Sequence, residues 1–345
     1  MNRTIKAAVA LTATGVLALT ATACGGSSGS DSSTLNLVGY SVLQKADAGL
    51  ISAFQGTDAG KGVDIKGSYG ASGDQSRAVE AGQKADIVHF SLEPDLTRLV
   101  KDGQIAEDWN TGPTEGICAN SIVVFVVRPG NPKGISSWAD LTTDGVSIVT
   151  PDPGSSGSAK WNLLAAYGSV LAGGGSDADA QSYIGDLVGN VATFPGSGRD
   201  ATTAFTSGTG DVLLSYENEA IQAIQGGADF EYVIPDSSLL IQTPCAVTKD
   251  APKAAKDFLD FTESADGQKL YAETGFRPLV DVGNVEVKGA TDPSDPFPAP
   301  ATLQTMADTF NGWGEANDKY FGDGTAGKPL GIITSIINDS GKTSS

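Results

Sequence analysis

The sequence of 345 residues contains one histidine, His89, and three cysteines, Cys24, Cys118 and Cys245. It shows no cysteine or histidine spacing of the kind that binds zinc. A Ser-His-Asp triad would have to use His89, and no Gly-x-Ser-x-Gly elbow supports one. We therefore expect no metal, no cofactor and no catalytic residues, and an extracellular serine hydrolase is a remote alternative.

The sequence has no long apolar segment, and its one extended apolar run, near the start, is short. Residues 7–21 are apolar, follow the positive charges of Arg3 and Lys6, and are too short to span a bilayer permanently. This pattern is typical of a secretory signal, which we place at residues 1–23. No other stretch is apolar enough to cross a membrane, so we expect the mature chain outside the cytoplasm.

The residues after this segment resemble the cleavage box of bacterial lipoproteins. In Ala21-Thr22-Ala23-Cys24, Ala21 replaces the usual leucine three positions before the cysteine. The resemblance implies that Cys24 becomes a lipidated N-terminus that anchors the protein to the cell membrane. Residues 24–34 are rich in glycine and serine and predict a flexible tether.

Basic residues are scarce, with 22 Lys and Arg against 41 Asp and Glu, for a formal net charge of −19. Removal of residues 1–23 would make the net charge −21. Such acidity argues against nucleic acid and anionic lipid as partners that bind by charge. It also opposes long-range attraction of an anion, so an anion site here would have to depend on local dipoles.

Three β-rich runs are each followed by a Gly/Ser loop that opens a predicted helix. The loops lie at residues 67–73, 151–158 and 195–198. A helix start carries unpaired N–H groups and a partial positive charge, and glycine and serine let an anion approach closely. Three such ends aimed at one point would hold a small oxyanion without a metal. Each loop alone could equally be an ordinary turn.

Strands and helices alternate along most of the chain, which predicts parallel or mixed sheets flanked by helices. The length after the signal suits two domains of about 150 residues. Outside the cell, the pair Cys118 and Cys245 suggests a disulfide.

From about residue 35 to residue 320 the chain resembles the sulfate/thiosulfate-binding proteins of ABC importers. Arg-x-Gly-Asn-Pro-Lys at 128–133 and Glu-Asn-Glu-Ala at 217–220 are specific to that family. Further matching segments are 69–75, 85–88, 147–151, 161–166, 264–268 and 276–278. The resemblance implies an α/β, periplasmic-binding-protein-like fold of type II, with the ligand between two lobes.

The same resemblance implies where the chain crosses between the lobes, near Cys118 and near Cys245. Lobe I would contain residues 35–118 and 246–325, and lobe II residues 119–245. Residues 326–345 are expected to form a C-terminal tail.

The resemblance also implies that the anion is held by backbone N–H groups and hydroxyls, with no direct cationic side chain. The implied ligand-binding residues are Ser41, Ser72, Ser156, Gly157, Ser158, Gly198 and Tyr216. Arg199 and Asp74 are expected to contact these ligand-binding residues and not the anion itself. The family usually has aspartate at position 41 and tryptophan at 216; a phenol can accept as well as donate, so the choice of anion stays open.

The resemblance therefore implies a monomeric, lipid-anchored receptor that delivers sulfate to a membrane permease of an ABC importer. Phosphate, thiosulfate and molybdate remain alternative ligands. An adhesive lipoprotein would also fit the tether and the acidity, but it would leave the three helix starts unexplained.

Overall fold

A computed structural model describes residues 34–342 of the chain. The expected signal at 1–23, Cys24 and the expected tether up to residue 33 lie outside the described residues. The last three residues of the expected tail, 343–345, lie outside them as well. Across residues 34–342, none of the helices has both the length and the apolar character needed to span a membrane.

Within this described range, ten strands and twelve α-helices alternate along the chain. The strands are β1 (Thr34–Tyr40), β2 (Asp64–Gly70), β3 (Ile87–His89), β4 (Ile117–Val127), β5 (Ile148–Val149), β6 (Val191–Thr193), β7 (Val212–Tyr216), β8 (Glu231–Val233), β9 (Ser237–Val247) and β10 (Thr302–Gln304). The helices are α1 (Gln44–Gln55), α2 (Ser72–Glu80), α3 (Glu93–Lys101), α4 (Gly157–Ala172), α5 (Asp177–Gly189), α6 (Gly198–Thr206), α7 (Glu217–Gln225), α8 (Lys253–Glu263), α9 (Ala265–Glu273), α10 (Met306–Phe310), α11 (Trp313–Phe321) and α12 (Ile332–Asp339).

The strands follow the order β2-β1-β3-β9-β4-β7-β5-β6. Strand β1 runs parallel to β2 and β3, and these three strands form what we term the first half-sheet. Strand β5 runs parallel to β6 and β7, which form the second half-sheet. Helices flank both half-sheets, so the predicted α/β fold is confirmed.

Two antiparallel strands of 11 residues each, β4 and β9, join the half-sheets. Strand β4 pairs with β9 over residues 117–122 and with β7 over residues 123–127. Strand β9 continues over residues 245–247 to pair with β3. Strand β9 therefore connects to the first half-sheet and β4 to the second, and the pairing of β4 with β9 joins the two.

The centre of β4 is buried on both faces. Val123, Phe125 and Val127 pack into one hydrophobic cluster, whereas Ile122 and Val124 pack into another. Successive side chains of a strand point to opposite faces, so an unbroken apolar run can fill two cores. The β-branched sequence of this segment specifies such a strand.

The end of the chain packs differently from the expected layout. Strand β10 pairs with the start of β9, and the Trp313 ring of α11 lies 4.8 Å from that of Trp161 in α4. Helix α12 lies within the expected tail, and its Ile333 and Ile337 are buried. Apolar side chains on α10, α11 and α12 thus cover helices of the second half-sheet, although the sequence placed residues up to 325 with lobe I.

The structure contains the Cys118–Cys245 disulfide that the sequence predicted. It links β4 to β9 with the two Cα atoms 5.8 Å apart, and both cysteines are buried. Glu263 lies close to both sulfur atoms. Because the sulfurs are bonded to each other, they offer no thiolate to a metal ion.

Removal of this disulfide is expected to destabilise the fold. It closes a loop across a sequence separation of 127 residues, and loss of such a bond typically lowers the free energy of unfolding by about 2–5 kcal/mol. Urea denaturation of a chain that starts after Cys24 would compare the unmodified protein with a Cys118→Ser, Cys245→Ser variant. Titration of two free thiols in the unreduced, unmodified protein would contradict the assignment.

Candidate anion-binding site

One small cavity collects most of the residues implicated by the sequence. Six of the seven implied ligand-binding residues line it, namely Ser41, Ser72, Ser156, Gly157, Ser158 and Gly198. The other lining residues are Tyr40, Val42, Gly70, Ala71 and Ser91. Its volume is about 10 Å³, far below the roughly 300–1,000 Å³ of sites for drug-sized ligands. The cavity therefore suits a small solute.

Three helices begin at the wall of this cavity. Ser72, Gly157 and Gly198 are the first residues of α2, α4 and α6, and all three line it. The structure thus brings together the three Gly/Ser loops, which come from both half-sheets. Their partial positive charges converge on one point.

Some N–H groups of these first turns are already bonded within the protein. The Gly73 N–H donates to the Ser155 carbonyl at 3.0 Å, and the Asp200 N–H donates to Ser197 Oγ at 3.1 Å. The N–H groups of the first helical residues have no partner inside their own helices. Those of Ser72, Gly157 and Gly198 are therefore placed to donate to a bound anion.

The Ser72 side chain is occupied on both of its sides. Its hydroxyl donates to Asp95 Oδ2 at 2.6 Å and accepts from the Ser91 N–H at 2.9 Å. Burial raises the pKa of the Asp95 carboxyl, and Lys160 and the Ser72 hydrogen bond oppose that rise. Ser72 therefore offers its backbone to the cavity and not its hydroxyl.

The seventh implied ligand residue, Tyr216, is not part of the cavity lining. Its ring is fully buried, and its hydroxyl lies 2.6 Å from Ser91 Oγ. Burial raises the pKa of Tyr216 far above its usual value, so the phenol stays protonated. The Tyr216 hydroxyl lies behind Ser91, which does line the cavity.

The sequence analysis missed Ser91, which lines the cavity beside Ser72. The available signal was its position, since Ser91 comes two residues after the end of β3 and Ser41 directly follows β1. Both strands run parallel in one half-sheet, so their carboxyl ends meet at the same edge.

Arg199 and Asp74 lie outside the cavity lining. Arg199 Nη2 is 3.1 Å from Glu219 Oε2, and Glu219 is only 1% exposed. The Asp74 carboxylate pairs with Arg77 at 2.5 Å. No lysine or arginine between residues 34 and 342 lines the cavity. A bound anion would therefore meet dipoles and hydroxyls and no full positive charge.

Contacts between the two half-sheets surround the cavity. The Trp161 indole N–H of α4 donates to the Ser91 carbonyl at 2.8 Å. Lys45 Nζ of α1 donates to the Gln222 carbonyl of α7 at 3.0 Å. Most side chains that line the cavity are buried, and fixed dipoles act more strongly in a buried site than in water.

His89 is a structural residue. It is buried, with Nε2 3.0 Å from Thr243 Oγ1 and Nδ1 3.4 Å from the Tyr271 hydroxyl. Burial lowers its pKa to about 3, so the ring is neutral at physiological pH. It has threonine and tyrosine as neighbours in place of the serine and aspartate that a triad needs.

Known proteins with similar sequences and folds share this architecture. The family model for bacterial extracellular solute-binding proteins matches residues 35–277. A sulfate-binding protein of Synechococcus elongatus is 39% identical over 324 residues, which cover 89% of this chain and 90% of that protein. A thiosulfate-binding protein of Pseudomonas aeruginosa is 33% identical over 316 residues, with 88% and 93% covered. The solved sulfate-binding protein SubI of Mycobacterium tuberculosis H37Rv has a TM-score of 0.78 at 44% identity, with 84% of this chain and 99% of that chain covered.

The fold and these relatives define a solute-binding receptor, not an enzyme. The chain belongs to the family of bacterial extracellular solute-binding proteins, since the family model covers more than half of it. The protein is accordingly extracytoplasmic.

Gly157 is expected to be essential for the close approach of α4 to Ser91. A Cβ atom at position 157 would lie 2.5 Å from Ser91 Oγ and 2.9 Å from Leu92 Cγ. Overpacking of this kind should lower the free energy of unfolding of Gly157→Ala by about 1–3 kcal/mol in urea denaturation.

The matched control is Gly185→Ala, because a Cβ atom there meets no atom within 4 Å. Alanine in a helix interior should stabilise the protein by about 0.5–1 kcal/mol. Equal stability of Gly157→Ala and the unmodified protein would show that α4 can move away from Ser91 without loss.

Proposed function

We propose that this protein binds sulfate outside the cytoplasm and delivers it to the membrane permease of an ABC importer. The observation that carries the proposal is the convergence of three helix N-termini on one small cavity that no lysine or arginine of residues 34–342 lines. The relatives named for sulfate and thiosulfate support a tetrahedral sulfur oxyanion as the ligand.

In this proposal the anion is held by uncharged donors. They are the backbone N–H groups of Ser41, Ser72, Gly157, Ser158 and Gly198, the hydroxyl of Ser156, and one hydroxyl of the Ser91–Tyr216 pair. The Ser156 side chain makes no capping bond to α4, which leaves it available to a ligand. Arg199 and Asp74 support the loops from behind through their ion pairs.

Seven such donors provide enough binding energy. Hydrogen bonds to a charged group contribute ~1.5–3 kcal/mol each, for a gross of roughly 10–20 kcal/mol. Micromolar affinity requires only about 8 kcal/mol. The rest of the gross hydrogen-bond energy offsets the free-energy costs of dehydrating the dianion and of closing the lobes.

The proposal includes the parts that lie outside the described residues. Cys24 would carry the lipid anchor and residues 24–33 would link it to the folded part. The folded part would act as a monomer, with lobe I built on the first half-sheet and lobe II on the second. Thiosulfate, molybdate and phosphate remain the ligands to compare with sulfate.

Sulfate is favoured over phosphate because it carries no proton at neutral pH. Phosphate, with a second pKa of about 6–7, keeps a proton that needs an acceptor. The carboxylates beside the three loops are engaged elsewhere: Asp74 with Arg77, Asp200 with Ser197, and Asp152 with the Gly154 N–H.

We expect sulfate to bind with micromolar or better affinity and at least about tenfold more tightly than phosphate. Isothermal titration with sulfate, thiosulfate, molybdate and phosphate between pH 6 and 8 measures this order directly. Equal or tighter phosphate binding would reject the sulfate assignment.

Ser156→Ala should weaken sulfate binding by about 1–3 kcal/mol, because it removes one charge-assisted donor from a buried site. The matched control is Ser169→Ala in the last turns of the same helix, where the hydroxyl bonds only the Ala166 carbonyl. A Ser156→Ala variant with the affinity of the control would mean that residues 151–158 form only a turn.

A further inference from the structure

Two buried hydroxyls meet at the cavity wall, those of Ser91 and Tyr216. Their oxygen atoms are 2.6 Å apart, and either one can be the donor. Ser91 is 1% exposed and Tyr216 is fully buried, so no solvent water competes for this bond. The direction of the bond therefore depends on what else the two hydroxyls meet.

The protein fixes the position of Ser91 but leaves its hydroxyl free to rotate. The Ser91 N–H donates to Ser72 Oγ at 2.9 Å, and its carbonyl accepts from the Trp161 indole at 2.8 Å. These two bonds join α2 on one side of the cavity to α4 on the other. Ser91 is thus held between two of the helix N-termini proposed to bind the anion.

Each direction of the Ser91–Tyr216 bond presents a different group to the cavity. When Tyr216 donates to Ser91, the Ser91 hydrogen is free to donate to a ligand oxygen. When Ser91 donates to Tyr216, a Ser91 lone pair faces the cavity, and the Tyr216 hydrogen turns away from Ser91. A serine hydroxyl supports both arrangements, because it has one hydrogen and two lone pairs.

We propose that Ser91 contacts the bound oxyanion and that its bond to Tyr216 reverses to match the ligand, so that the site accepts an anion carrying one proton as well as a fully ionised one. This inference rests on the proposed oxyanion-binding function. It identifies the ligand class as tetrahedral oxyanions with no proton or one, with sulfate preferred because every other proposed contact is a donor.

The alternative is a cavity wall that offers only hydrogen-bond donors. The O–H group of a protonated ligand would then point at a donor hydrogen of the protein and would find no acceptor. Sites that leave a buried polar group unpaired reject the wrong ligand by about 10⁴–10⁵-fold. The reversible Ser91–Tyr216 bond provides an acceptor for the ligand O–H group at one position of the wall. The preference for sulfate over phosphate should then stay well below about 10⁴-fold.

The test is isothermal titration of the full mature chain with sodium sulfate and with sodium phosphate at pH 8, where most phosphate carries one proton. The variants are Ser91→Ala and Tyr216→Phe. The matched controls are Ser238→Ala, another buried serine bonded to a backbone carbonyl, and Tyr183→Phe, whose hydroxyl bonds the Trp138 carbonyl. Thermal unfolding of each variant checks that it is folded.

In Ser91→Ala, sulfate affinity should fall about 10- to 100-fold through loss of one donor to an anion. Phosphate affinity should fall by about a further tenfold, because the acceptor is lost as well. In Tyr216→Phe, the Ser91 hydrogen has no partner when Ser91 accepts from the ligand. Phosphate should therefore lose more affinity than sulfate in this variant too, while both controls keep the ratio of the unmodified chain.

Three results would overturn the proposal. The first is a sulfate-to-phosphate preference that is unchanged in both variants, and the second is unchanged sulfate affinity in Ser91→Ala. The third is a preference of the unmodified chain above about 10⁴-fold. Any of these with normal sulfate binding overturns the role of Ser91 alone, whereas an unmodified chain that does not bind sulfate overturns the proposed function as well.

Discussion

Unpaired backbone N–H groups at the starts of α2, α4 and α6 are the constraint on which the site depends. A buried donor without an acceptor costs about 1–3 kcal/mol, and the first residues of all three helices line one small cavity. The convergence of the three helix starts is therefore favourable only when a group in the cavity accepts hydrogen bonds from these N–H groups. In the proposed function a bound anion supplies these acceptors and thereby stabilises the arrangement of the three helix starts.

The same constraint explains how an acidic protein can bind an anion. A formal net charge of −19 repels anions at long range, yet that field is screened within about 10 Å at moderate salt. The charges nearest the site are paired: Arg199 with Glu219, and Asp74 with Arg77. Pairing removes single charges from the surroundings of the cavity, so the helix ends and hydroxyls decide what binds there.

Much of this arrangement could be predicted from the sequence, for a local reason. Loops 67–73, 151–158 and 195–198 carry their own signature of glycine and serine before a helix, and parallel strands deliver such loops to one edge. Ser91 carries no such signature, because a single serine after a three-residue strand looks like any turn. The distance between Tyr216 and Ser91 arises from residues 125 positions apart, which no local pattern encodes. The packing of α11 on α4 was not predicted for the same reason, since it depends on two aromatic rings that are 152 positions apart in the sequence.

The long strands β4 and β9 determine how the two halves can separate. The Cys118–Cys245 disulfide ties them together near β3, and backbone pairing over residues 117–122 continues from there. Beyond residue 122, β4 leaves β9 and pairs with β7 in the second half-sheet. If the two halves of the proposed receptor separate, the chain would bend where β4 and β9 change partners. Ser91, Trp161 and Lys45 would lose their cross-contacts in that motion, whereas the pairing held by the disulfide would persist.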